Sequence, residues 1–234
     1  MELLLQNQDI GAILPFNIIK YAIRQAITAG VPANTIVLLL LLPLVAAVIA
    51  AARHIIGIRG FGIFLPAALS VVFLAIGPII GLVLFLVIVS VSTFMRLFLR
   101  KVKLRLQYLP RMALILWGVV IAVLALLFAV PFVSVSAFAN VSIFPVLIIV
   151  LLAEDFTRVQ MGKSIKTAIN LTTETLILAL VSYLFLTLQT LQQFALLNPE
   201  ILLLSIFVFN IIIGKYSGLR VVEFWRFRKL INSK

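Results

Sequence analysis

Seven apolar stretches run through this chain, at residues 33–52, 61–77, 79–99, 112–132, 140–153, 171–190 and 199–214, and the cations between them alternate. Lys20 and Arg24 lie ahead of the first stretch. The first gap holds Arg53 and Arg59, and the third with its flanks holds Arg96, Arg100, Lys101, Lys103, Arg105 and Arg111. The fifth holds Arg158, Lys163 and Lys166, the tail holds six more, and the second, fourth and sixth gaps hold none. Lysine and arginine stay on the cytoplasmic side as spans insert. The pattern predicts an all-α polytopic membrane protein with seven transmembrane helices, N-terminus outside and C-terminus cytoplasmic, in the inner (plasma) membrane.

Composition points the same way. With 64% apolar and 11% charged residues, the chain lacks the polar surface to cover a water-soluble globule of this size. The net charge of +12 lies beside spans, with no soluble domain to present a basic face. Anionic phospholipid is therefore the expected counter-charge, and no nucleic-acid partner is expected. Zero cysteines and one histidine, His54, argue against a metal centre and a cysteine nucleophile, and the familiar hydrolase and nucleotide-binding motifs are missing. No catalytic residue and no cofactor are predicted.

Residues 1–32 read as an extracytoplasmic segment rather than a signal peptide, because the only apolar run near the start is three leucines. Within it, Phe16, Ile19, Ile23 and Ile27 recur at helical spacing with Lys20 and Arg24 on another face. That spacing fits an amphipathic helix, either in the interface or packed on the bundle. Residues 33–214 form the expected transmembrane domain and 215–234 a basic, aromatic cytoplasmic tail. Its run from Phe224 to Lys229 has the make-up of a membrane-surface anchor. Gly77 and Pro78 interrupt a long apolar block, which predicts a tight helical hairpin. Gly77 and Gly81 also stand at GxxxG spacing.

Few polar groups stand near the predicted spans. Glu154 and Asp155 close the fifth, with Arg158 one turn on. They read either as an acidic pair open to a proton, cation or basic partner, or as a helix end paired with nearby cations. Glu174 falls at the entry of the sixth span, where a carboxylate is a candidate coupling group or is held by the helix N-terminus. Thr172, Thr175, Ala179, Ser182 and Gln189 lie near one stripe of that helix, as packing against neighbours requires. Pro43, Pro66 and Pro145 lie within spans, where each frees a carbonyl and predicts a kink or a broken helix.

At Gly57-Ile58-Arg59-Gly60-Phe61-Gly62-Ile63-Phe64-Leu65-Pro66 the chain resembles the bacterial and archaeal seven-helix membrane module usually fused to an inactive transglutaminase-like domain. Further agreement comes at Leu109-Pro110-Arg111, at Phe144-Pro145, and at Gly214-Lys215-Tyr216-Ser217-Gly218-Leu219-Arg220 with Glu223. The resemblance implies a non-enzymatic membrane scaffold or receptor in a peptide or amino-acid ligation system. The partners it implies are a cytoplasmic ATP-grasp ligase and an extracytoplasmic domain that is either supplied by a separate protein or not needed, since residues 1–32 are too few to hold one. The alternative is a small secondary transporter exporting the ligation product through Glu154 and Glu174.

Overall fold

The computed structural model describes residues 17–102, 107–133, 143–160, 165–218 and 220–223, with side chains throughout except at 129–133, 154–160 and 165. Lys103, Arg105, Lys163 and the aromatic tail at 224–229 lie outside the described residues. Every regular element among those described is helical. In order these are α1 (Ile18–Thr28), α2 (Ala33–Ala51) with a π turn at Ala52–Ile56, α3 (Phe64–Ile76), α4 (Pro78–Lys101), α5 (Tyr108–Val133), α6 (Ile143–Gln160), α7 (Ile165–Thr187), α8 (Gln189–Leu197) and α9 (Pro199–Gly214).

The chain forms two compact units, one of Met1–Ala67 with Val181–Lys234 and one of Ala68–Leu180. In the first, α2 packs on α8 and α9, and α1 docks on α9. The core stripe of α2 is Val37, Leu41, Val45 and Ile49, at the four-residue spacing that keeps one helix face inward. Pro43 lies on the outer face of α2. In the second unit, α4 packs on α5 and α6, which also pack on each other. Large apolar side chains cover the outside of the helices, among them Leu39, Trp117, Phe128 and Phe207. A chain of this kind is apolar within and without, because its solvent is lipid.

Among the described residues, four helices are long and apolar enough to cross a bilayer: Ala33–Ile56, Pro78–Lys101, Tyr108–Phe128 and Lys166–Thr187. The α8–α9 pair passes the same test jointly but is bent by 107°. Two of the predicted spans are shorter. The 13 residues of α3 rise about 20 Å against a hydrocarbon core of about 30 Å, since Phe61–Ile63 turn instead of continuing the helix. The apolar part of α6 is Ile143–Ala153.

Local chemistry moves several expected boundaries. Gly77 alone separates α3 from α4; its φ of 87° is open to glycine, and Pro78 takes the first helical position, where no N–H is needed. The ring of Phe73 lies over Gly81, so this glycine serves packing within the unit and Gly77 is a turn residue, which leaves no GxxxG face. Pro66 and Pro145 are each third in their helices, ahead of any lost i−4 bond, so neither breaks a span. The sixth span ends at Thr187. Gln192 donates its amide N–H to the Leu186 carbonyl at 2.6 Å, and Gln189 opens α8 instead of extending the stripe of α7.

Candidate functional site: the glycine loop and the segment after α9

The first unit brings together two sequence blocks separated by most of the chain. The π turn closes when the Gly57 N–H donates to the Ala52 carbonyl at 3.0 Å, and Gly57 itself takes φ 97°. This left-handed residue turns the chain out of α2. A Cβ at Gly57 would stand 3.3 Å from Cβ and Cδ of Arg220 and 3.6 Å from Cβ of Val222. The aliphatic stem of Arg220 thus lies against a backbone bare of side chain. Gly60, Phe61 and Pro66 are buried beyond the turn, while Gly62 faces open space.

The partner segment is shaped by its own local contacts. α9 ends at Gly214, and the Lys215 and Tyr216 N–H groups donate to the carbonyls of Ile211 and Ile213. Gly218 then lies on the Tyr216 ring, its missing Cβ 2.6 Å from Cζ and Oη. The Arg220 backbone N–H donates to Oε2 of Glu223 at 3.3 Å, the reach-back of a capping box that starts the turn at 221–223. Gly57, Tyr216, Gly218, Arg220 and Glu223 therefore act as one local structure. Arg53, exposed His54 and Arg59 in the first block, with Lys215 and Arg220 in the second, give it a basic character. Pro145 belongs to the second unit.

The acidic candidates lie in the second unit. Glu154 and Asp155 are not at a helix end, because α6 continues to Gln160, seven residues beyond the end of its apolar stretch at Ala153. The adverse dipole expected for an acidic C-terminus does not apply so far inside. Their side chains, and that of Arg158, lie outside the described residues. Glu174 also differs from expectation: α7 starts at Ile165, putting this residue in the third turn and half-buried. Thr172, Thr173 and Thr175 do not cap a helix start. Each hydroxyl donates to the carbonyl four residues back, at 2.8, 3.0 and 2.7 Å. The buried Thr175, Ala179 and Ser182 confirm the packing stripe.

Two residues were missed from the sequence. Glu200, in the first turn of α9, accepts a hydrogen bond from α1. Arg96 belongs to α4 and not to a loop: it is buried at 6% exposure on the stripe Leu84, Ile88, Ser92, Arg96. Only the second left a signal, the four-residue spacing that continues an apolar face into a cation.

Long apolar helices and cores that leave an apolar exterior define a polytopic helical membrane domain. The family model of seven transmembrane helices usually fused to an inactive transglutaminase matches residues 12–231, and the chain belongs to that family. No curated protein and no solved structure matches it.

Proposed function

We propose that this chain is a non-enzymatic scaffold or receptor subunit of a peptide or amino-acid ligation system, recruiting a cytoplasmic ATP-grasp ligase to the inner membrane. The observation that carries the reading is the contact of Gly57 with Arg220, which builds one basic surface from the first gap and the tail. Such a surface suits an acidic partner by charge complementarity. Membership of a family usually joined to an inactive transglutaminase supports a binding role over a catalytic one.

The contact also fits the proposed seven-span topology. With seven spans, six crossings separate the first gap from the tail, and an even number returns the chain to the same side. The bond between Lys20 and Glu200 obeys the same parity for the opposite, extracytoplasmic face. A photo-crosslinking residue at Lys215 tests the reading. It is expected to capture an ATP-grasp ligase in cells, whereas the same residue at lipid-facing Leu114 captures none; capture of lipid alone at both positions overturns it.

Export of the ligation product is the second reading, favoured by the half-buried Glu174 inside the candidate span of α7. It assigns a proton-coupling role to this carboxylate.

A further inference from the structure

The inner stripe of α4 changes character along its length. Leu84 and Ile88 are followed at the same spacing by Ser92 and Arg96, and all four are buried. Arg96 is 6% exposed, and its Nε has no hydrogen-bond partner. Nη2 of Arg111, in the first turn of α5, is likewise buried without a partner. Arg100 and Arg111 are near enough to act on Arg96 electrostatically, and both repel it. Leu99, Met112 and Ile115 form the core under this end of the helix pair, with Met95 packed against them. Burying guanidinium groups beside one another is unfavourable unless an anion joins them. Among the described residues the site is therefore short of negative charge.

An apolar groove of about 220 Å³ opens at the same end of α5 and reaches α6, lined by Leu109, Met112, Ala113, Leu116 and Leu151. We propose that Arg96, Arg100 and Arg111 hold the phosphodiester of an anionic phospholipid, with one acyl chain lying in this groove. A guanidinium donates two parallel N–H bonds to phosphate oxygens, which satisfies the unused donors and neutralises the cluster. The groove favours lipid over free phosphate, because every side chain that lines it is apolar. This is a built site, distinct from the diffuse attraction of basic loops to a charged leaflet. It depends on neither the ligase partnership nor the orientation of the chain.

Native mass spectrometry of the full chain in detergent, titrated with phosphatidylglycerol or phosphatidylcholine, tests the proposal. The wild type is expected to retain phosphatidylglycerol preferentially. Exposed Arg100→Gln, whose folding is not at risk, and Arg111→Gln are expected to weaken it at least about tenfold, the loss of one charge-assisted hydrogen bond. Ala113→Phe, which fills the groove, should weaken it similarly, and Lys166→Gln on α7 should not. Equal retention of the two lipids overturns the proposal, as does unchanged binding by Arg100→Gln and Arg111→Gln. Displacement by inorganic phosphate with no effect of Ala113→Phe would reassign the site to a free anion. A lipid preference that emerges only with Glu154→Gln and Asp155→Asn would give the arginines to α6 carboxylates instead.

Discussion

The Glu200 carboxylate, in the first turn of α9, accepts a 2.8 Å hydrogen bond from the backbone N–H of Lys20, in the first turn of α1. One acid thus serves two helix starts. It satisfies a free N–H of α1 and lies favourably on the dipole of its own helix. The bond fixes the amphipathic helix to the bundle, where otherwise Ile23 is its only buried residue.

Glu200→Ala should accordingly destabilise the protein by about 1.5–3 kcal/mol, the range for a hydrogen bond to a charged group. Glu200→Gln, which keeps an acceptor, should lose less. Thermal unfolding in detergent measures both. An Ala variant as stable as wild type would contradict the docking of α1 through this bond.

Gly57→Ala combines two costs, a left-handed backbone of about 1–2 kcal/mol and contact with the Arg220 stem. Arg220→Ala keeps Cβ but removes the stem. Gly57→Ala should therefore cost less in the Arg220→Ala background than alone, a coupling of about 0.5 kcal/mol or more that a double-mutant cycle on stability detects. Strict additivity would mean that the two blocks do not touch.

Gly81 and Gly118 both lie inside helices, where alanine normally gains up to about 1 kcal/mol. A Cβ at Gly81 would stand 2.5 Å from the ring of fully buried Phe73; one at Gly118 would stand 2.7 Å from the flexible side chain of Met95. Gly81→Ala should destabilise by about 1–3 kcal/mol, as overpacking does, while Gly118→Ala is neutral or stabilising. The difference in melting temperature between the two variants reads this out, and equal effects would refute it.

Glu174→Gln separates scaffold from transporter. The amide is nearly isosteric and easier to bury, so the variant should fold; the scaffold reading predicts that it also complements a deletion strain. A well-folded Gln variant that fails to complement would favour proton-coupled export.

The long helices were legible because lipid demands continuous apolar runs, and the packing face of α7 because small and hydroxyl side chains recur along it. Their ends were less legible. In an apolar medium Thr172, Thr173 and Thr175 bond back to helix carbonyls, so residues that read as an entrance lie inside α7. Pro66 and Pro145 read as breaks for the opposite reason, that their helices begin just before them. Gly57 and Arg220 were each visible as motif residues, yet no local pattern joins them. The same holds for Lys20 and Glu200, which meet across 180 positions. Periodicity reports a neighbour one turn away and says nothing of a partner on another helix.

On the proposed reading, the glycine loop and the segment after α9 form one cytoplasmic surface, with the start of α9 on the opposite side. The chain has no cysteine, so single cysteines report position without background. The deciding measurement is labelling by an impermeant thiol reagent at Asn198→Cys and Ser217→Cys, before and after permeabilisation. The account predicts that Asn198→Cys labels in intact cells and Ser217→Cys only once the membrane is opened. Labelling of Ser217→Cys in intact cells would contradict it.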